Sequence, residues 1–500
     1  MHRKIIIIGS GFSSLAAACY LQKSGNQVLV LEKNEQLGGR AAILEENGFK
    51  FDMGPSWYWM PDIFERFFED FGKSVSDYYS LQKLSPAYNV YFGSDDFIEI
   101  ADNLPSIIKT FESIDPGSGA RLEKFIAKAK ENYGIAMDEL VFKPGISLLE
   151  LVTPETISRL HLFVTNISSE VKKITKNKKL QSILEFPVLF LGAKPENTPA
   201  FYNFMNYADF GGGTWYPEGG MNEIVKGMVT LGKSLGVTYK TGQEVTEIVT
   251  ENEVVTGVKT EDATYQADMV VSGADYAHTE KLIDAKYRNY KEGYWDNKTF
   301  APSAFLYYIG FEGNADSVQH HNLFFDTDFS LHAEEIYDRK CLPENPLFYA
   351  NFPSKTDRSL APEGMETAFF LIPVAVDIDD SEEMHERYFK LIMERFKKCT
   401  GYNLKDKIVY KKSFGVNDFK SRYHSCKGNA YGLANTLLQT SVLRPGIRNK
   451  KLKNLFYTGQ LTVPGPGVPP ALISGKIVSN YIEKHFSQAQ TTTIKTIPTQ

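Results

Sequence analysis

Ile5-Ile6-Ile7-Ile8-Gly9-Ser10-Gly11-Phe12-Ser13-Ser14 stands almost at the start of the chain. Four consecutive Ile residues have the texture of a strand buried on both faces. Helical spacing follows from Leu15 to Lys23, Gly25 supplies a stop, and Val28-Leu29-Val30-Leu31 is a second apolar run. Strand, glycine turn, helix and strand make a βαβ unit. A side chain at Gly9 or Gly11 would obstruct the turn and hold a pyrophosphate away from the backbone amides. The helix N-terminus beyond the turn offers those amides and a partial positive charge. The third position of the glycine pattern is Ser14 rather than Gly, a departure that still permits fairly close helix packing.

A glycine turn alone is weak evidence, because any βαβ unit uses one. Glu32 adds to it: the residue ends the second strand, where an acidic side chain accepts a hydrogen bond from a ribose 2′-hydroxyl and repels a 2′-phosphate. Lys33 follows it directly. Gly38-Gly39-Arg40 then forms a second flexible turn, carrying a cation toward the pyrophosphate region. Together these residues point to a bound dinucleotide, and a single unit of this kind gives no second, NAD-binding site.

With 500 residues, 42% hydrophobic and 23% charged, the chain is an ordinary globular protein of two or three packed units. A formal charge of -6 gives no general attraction to nucleic acid. The basic cluster Lys172, Lys173, Lys176, Lys178 and Lys179 reads as a solvated helix face or as a contact for anionic lipid. Cys19, Cys341, Cys399 and Cys426 form no Cys-x-x-Cys pair, which suggests neither zinc nor a disulfide framework and fits a reducing compartment. The first residues run straight into a core strand, leaving no room for a cleaved signal. No run reaches the ~18–20 apolar residues that span a bilayer, so any membrane association is expected to be peripheral.

Further along, 87–101 reads as a hairpin and 118–190 as helical. Beyond the glycine-rich 211–220 come an amphipathic helix to about 235 and strands at Val245–Ile248, Val254–Lys259 and Met269–Val271. Aromatic-rich strands are expected at Phe305–Phe311, Leu347–Phe352, Ala368–Val374 and Ile408–Lys412, with a helix from about Glu382 to Lys398. They suggest a second, separate sheet. Asn454-Leu-Phe-Tyr-Thr-Gly459 precedes a helix from about Ala471, and the Ser/Thr/Gln-rich residues 487–500 read as a disordered tail.

The order Gly-x-Gly, Glu, Gly-Gly-Arg resembles the FAD-binding flavoproteins that include amine oxidases, protoporphyrinogen oxidase and carotenoid desaturases. Gly48-Phe-Lys-Phe-Asp-Met-Gly-Pro-Ser56 resembles their segment after the Gly-Gly-Arg turn. Asn454–Gly459 and Pro464-Gly-Pro-Gly-Val-Pro469 resemble the closing motif of bacterial-type phytoene desaturases, so the likeness covers nearly the whole chain. It implies an α/β fold: a Rossmann-type FAD-binding domain from 1–80, 210–290 and 430–486, a mixed-sheet substrate domain from 81–110 and 291–429, and a helical insertion at 111–209.

The resemblance implies FAD as cofactor, with Gly9, Ser10, Gly11, Ser14, Glu32, Lys33, Gly38, Gly39, Arg40, Gly54, Pro55, Ser56, Val245, Gly459, Gly467 and Val468 around it. It also implies a long polyene such as phytoene, drawn from the cytoplasmic face of the inner membrane and desaturated toward lycopene in two-electron steps. Trp57-Tyr58-Trp59-Met60 is a candidate wall for an apolar substrate, or core. Phe186-Pro-Val-Leu-Phe-Leu191 is a candidate membrane contact, or a buried segment. His161, Asp209, His320, His321 and His424 are candidate bases, none of them singled out. Rival readings are a hydroxylated or shorter carotenoid as substrate, cis–trans isomerisation, an amine oxidase, and a non-catalytic lipid-binding relative.

Overall fold

The computed structural model describes residues 2–493 apart from 139, 292 and 437. Its first sheet is wholly parallel, in the order Leu455–Tyr457, Met269–Ser272, Lys4–Ile8, Gln27–Leu31, Thr238–Lys240. Lys4–Ile8 lies at its centre, paired with Met269–Ser272 on one side and Gln27–Leu31 on the other. Ile5 to Ile8 are all buried, as an apolar run covered on both faces requires. Ile8, Ser272 and Tyr457 therefore end side by side, although they come from the beginning, middle and end of the chain.

Two helices cover this edge. Phe12–Lys23 follows the glycine turn, and the closing helix Val468–Thr493 packs across it. The crossing is close enough to require a glycine: a Cβ on Gly475 would sit 2.4 Å from the Ser13 carbonyl oxygen. Gly273 meets the departure at Ser14 in the same way, since a Cβ there would lie 2.0 Å from Ser14 Oγ. The close helix–strand packing that a third glycine usually provides is supplied here by the glycine on the neighbouring strand. The closing helix carries its backbone through 487–493, into the segment expected as a tail; residues 494–500 lie outside the described residues.

The second sheet has seven strands in the order Ile408–Phe414, Ser303–Glu312, Met365–Val374, Phe348–Asn351, His321–Phe324, Tyr88–Gly93, Asp96–Ile100. Its pairings are antiparallel except between His321–Phe324 and Tyr88–Gly93. The four aromatic-rich strands and the 87–101 hairpin are all in it, and His321–Phe324 is a strand that periodicity did not suggest. Alternation along Ser303–Glu312 divides its side chains. Phe305, Tyr307, Ile309 and Phe311 pack with Ile392 and Phe396 of helix Glu382–Thr400, whereas Ala304, Leu306 and Tyr308 join the core on the opposite face.

Val254–Lys259 pairs with Glu247–Glu251 and Thr264–Gln266 in a separate three-stranded sheet. Val245 lies two residues before that sheet rather than at the start of a strand. After the strand Asp96–Ile100 the chain forms a run of helices from Leu104–Ile114 to Phe204–Phe210. In two of them, Ile167–Ile174 and Lys178–Glu185, the apolar side is buried; Lys172, Lys178 and, in the turn between them, Lys176 are exposed, while Lys173 and Lys179 pair with Glu170 and Asp96. Among the described residues no helix is long and apolar enough to cross a membrane.

Gly475→Ala should lower the thermal midpoint of the holoprotein, by an amount matching about 1–3 kcal/mol of overpacking, because backbone stands where the methyl would go. Thermal denaturation followed by circular dichroism and flavin fluorescence checks this.

Candidate functional site

One continuous cavity runs from the carboxyl edge of the parallel sheet to the inner face of the second sheet. Its first end is lined by Gly9, Ser10, Gly11, Glu32, Lys33, Gly38, Gly39, Arg40 and Val245. Gly54, Pro55 and Ser56, with Gly459, Gly467 and Val468 from the closing motif, stand along the same space. Ligands of open α/β sheets bind at this edge, outside the carboxyl ends of the strands. Of the residues suggested for the cofactor, only Ser14 is absent from the lining, being held under Gly273.

The nucleotide end is built around Glu32. Its carboxylate is buried, with Oε2 accepting from Ser10 N at 2.9 Å and Ser10 Oγ at 2.6 Å. Oε1 accepts from Asn34 N and Nδ2 at 2.9 and 2.8 Å. The two backbone donors fix the carboxylate, and the two side-chain donors are the bonds that ribose hydroxyls can replace. Ser10 Oγ also accepts from Gly38 N at 3.0 Å, tying the two glycine turns together. Gly38 and Gly39 both have positive φ, and a Cβ on Gly39 would lie 3.3 Å from Gly11 Cα.

Three features fit these turns to a pyrophosphate. Gly11 caps helix Phe12–Lys23 without any side-chain hydrogen bond, so the first N–H groups are uncapped toward the cavity. Arg40 has no carboxylate within ion-pair distance among the described residues, and its Nε is buried without an acceptor. Its Nη2 donates only to neutral oxygens, Ser425 Oγ at 3.0 Å and the Asn429 carbonyl at 3.3 Å, and burial lowers its pKa. A desolvated cation facing uncapped amides calls for an anion. Beyond these, Lys33 Nζ lies 2.9 Å from His424 Nε2, and the same nitrogen meets Glu244 Oε1 at 2.7 Å. His278 stacks on His424 with ring centroids 3.9 Å apart, and burial brings its pKa down to about 4.

The second arm of the cavity is apolar. Trp57, Trp59, Met60, Phe186, Leu189, Phe204, Phe325 and Leu347 line it, with Leu306, Leu323 and Leu371 as the floor. Trp57 lies flat on His321, centroids 4.0 Å apart and planes 10° apart. Trp59 is held by Nε1 donating to Thr214 Oγ1 at 2.9 Å. Tyr58 does not line the cavity: it bridges to Trp215, stacks on Phe64 and hydrogen-bonds Tyr79. The backbone is extended at Tyr58, so Trp57 and Trp59 face the cavity and Tyr58 the other way, while Met60, with a φ of 59°, turns back to the lining.

The structure bears on two alternatives left open above. Phe186, Val188 and Leu191 are buried, and Phe186, Leu189 and Leu191 form cavity wall, which favours the buried reading of this segment. Among the candidate bases, His320 and His321 are buried neutral, the pKa of His320 being pushed down to about 3 by burial, and neither lines the cavity. Asp209 takes a 2.7 Å bond from Tyr88 away from the cavity, and His161 is exposed. Only His424 lines it, at the nucleotide end. Sequence reasoning missed His332, a buried cavity-lining histidine that carries no local motif.

Residues 12–482 match the family of flavin containing amine oxidoreductases. The chain is 42% identical over 476 residues to a carotenoid 3,4-desaturase of Haloarcula japonica, covering 94% of this chain and 96% of that protein. It is 30% identical to a zeta-carotene-forming phytoene desaturase of Myxococcus xanthus, covering 95% and 93%. The chain belongs to the carotenoid desaturases of the flavin-containing amine oxidoreductase family. It is an FAD-dependent oxidoreductase of the class acting on CH–CH bonds, with an amine-oxidase-like fold. An oxidoreductase from Methanosarcina mazei shares that fold with a TM-score of 0.64 and 19% identity, over 95% of this chain and 100% of that one.

Glu32→Lys should lower FAD affinity by roughly 10- to 100-fold, the worth of charge-assisted hydrogen bonds. The flavin absorbance of the purified protein and titration of apoprotein with FAD measure it.

Proposed function

We propose that this flavoprotein dehydrogenates a long acyclic carotenoid, the polyene lying in the apolar arm with its reacting carbons at the flavin end. The continuous cavity carries the reading: one end has the polar features a dinucleotide needs, and the other has walls that recognise hydrocarbon by burial alone. The relatives act at different points, one as a 3,4-desaturase and one forming zeta-carotene. Phytoene converted stepwise toward lycopene is the reference reaction against which other polyenes are to be compared.

FAD, when bound, supplies the two-electron acceptor for a hydride leaving an allylic carbon. Forming the double bond also removes one proton from the neighbouring carbon, which ends in solvent, so that two hydrogens leave for each double bond made. The uncapped helix turn at Gly11 and the guanidinium of Arg40 would hold the pyrophosphate, Glu32 the ribose, and the start of the closing helix at Gly467-Val468 the flavin ring. Trp57, Trp59 and Phe186 keep water from the reacting carbons, and their ring faces favour positive charge developing on the polyene. His321 is a positioning residue, holding the plane of Trp57 through its stack. The lining carboxylates Glu32, Glu244 and Asp275 stand at the nucleotide end. Asp275 is occupied there by the backbone N–H groups of Ala277, His278 and Cys426.

The substrate class also favours a peripheral membrane location on the cytoplasmic face. Ile146, Leu149, Val152, Ile157, Leu160 and Val164 are exposed, from 49% for Ile146 to 78% for Leu149, within one stretch of chain. The adjoining Leu140, Val141 and Phe163 line the cavity. An exposed apolar patch of this kind, next to the wall of a hydrocarbon site, suits lipid contact.

Anaerobic addition of phytoene in liposomes should bleach the flavin and yield a polyene absorbing at longer wavelength. Bleaching without a longer chromophore would point to another substrate. The double variant Leu149→Glu, Val164→Glu should lose most co-sedimentation with liposomes, about tenfold or more from two buried apolar side chains, while keeping its flavin. Unchanged co-sedimentation would place the membrane contact elsewhere.

A further inference from the structure

The reaction read above frees one proton per double bond inside an apolar cavity, and a run of polar side chains leads from that cavity toward the surface. Tyr349 lines the cavity, and its hydroxyl is within hydrogen-bond reach of Ser56, beside the Gly54-Pro55 turn. Behind it, Tyr349 Oη meets His321 Nδ1 at 2.6 Å. The rings of His321 and His320 lie 4.5 Å apart between centroids, and His320 Nδ1 meets Thr356 Oγ1 at 2.7 Å. Tyr349, His321 and His320 are buried, whereas Thr356 is partly exposed. The second sheet lays out this run. Tyr349 is in strand Phe348–Asn351, His321 begins the strand paired with it, and the Phe352 N–H donates to the His320 carbonyl at 2.8 Å.

The protonation state of the run follows from its partners. Asn351 Nδ2 can only donate, and it lies 3.0 Å from His321 Nδ1, so that nitrogen is an acceptor and the ring proton is on Nε2. Tyr349 therefore donates its O–H to Nδ1. Burial, with His320 alongside, holds the pKa of His321 well below the usual histidine range, so the ring is neutral at rest and able to take a proton. A C–H bond beside an allylic cation is a far stronger acid than an imidazolium, so a base weakened by burial still accepts its proton. Once protonated, the His321 ring lies against the face of Trp57, which favours a cation. Nε2 of His321 and Nε2 of His320 are both buried with no partner among the described residues. A pair of histidines kept only for support would leave that cost unreturned.

We propose that Tyr349 is the proton acceptor of the reaction, and that His321, His320 and Thr356 conduct the proton from it to the surface. A hydride leaves one carbon with its electron pair for the FAD. The C–H bond on the neighbouring carbon breaks, its electron pair forms the new double bond, and its proton joins Tyr349 Oη. The former O–H proton of Tyr349 passes to His321 Nδ1. The proton on His321 Nε2 leaves by way of His320 and Thr356 to solvent, and the ring regains its Nε2 tautomer before the next turn. One proton enters at the carbon and one leaves at the surface. His321 touches no substrate and acts through Tyr349. The inference rests on the carotenoid desaturase reading and supplies the base that reading lacks.

The test uses anaerobic holoenzyme on liposomes carrying, in turn, phytoene, lycopene and their monohydroxylated forms, and takes forward the polyene that bleaches the wild-type flavin fastest. Tyr349→Phe should slow flavin reduction at saturating polyene by about 100-fold, the worth of a positioned proton acceptor, with flavin content and KM little changed. His321→Phe separates conduction from support, because it keeps an aromatic ring against Trp57 and removes Nδ1. It should show the same loss, and the double variant should be no slower than either single one, since both interrupt one path. Tyr349→Phe removes a single oxygen, and retained flavin absorbance verifies that each variant folds. Flavin reduction at close to the wild-type rate in either single variant overturns the proposal. So do losses that multiply in the double variant, which would make the two residues independent supports of the wall. No bleaching of flavin-loaded wild type by any of these polyenes overturns the desaturase reading itself, and the proton path with it.

Discussion

Lys4–Ile8 pairs with Met269–Ser272, which pairs in turn with Leu455–Tyr457, and this parallel pairing brings three distant parts of the chain to one edge. Much of the candidate cofactor site is hung on that edge. The first strand delivers the glycine turn and the uncapped helix, the second delivers Gly273 and Asp275, and the third delivers the closing motif, while Glu32 follows the neighbouring strand Gln27–Leu31. The two covering helices approach to backbone contact at Gly475. Close packing of this kind leaves little tolerance: a methyl group there displaces the helix that begins at Val468, and with it one wall of the flavin pocket.

The second sheet plays a different part. Its alternation gives one face to the helix Glu382–Thr400 and the other to the cavity, so a single strand, Ser303–Glu312, serves as both core and substrate floor. The apolar arm is thus enclosed by rigid elements on the sheet side and by short helices on the other.

The residues that the sequence suggested for the nucleotide do line one end of the cavity, Ser14 excepted. Gly9, Gly11, Glu32 and Gly38-Gly39-Arg40 have local reasons for being what they are: a turn, a strand end and a flexible approach. The spacing that joins them is short. Ser14 looked like a weakness in the pattern until Gly273 supplied the missing space. The aromatic strands were legible too, since β-branched and aromatic runs need a pleated, buried surface.

What local pattern determined, then, was the dinucleotide turn, the family likeness and the kind of each long element. Tertiary structure alone decided that Trp57 and Trp59 meet the cavity while Tyr58 turns into the core, that Phe186, Leu189 and Leu191 are wall, and that His332 stands inside with no partner for Nε2 among the described residues. The physical reason is the same in each case. Periodicity gives which side chains share a face, but which face meets cavity, core or solvent is set by partners hundreds of residues away.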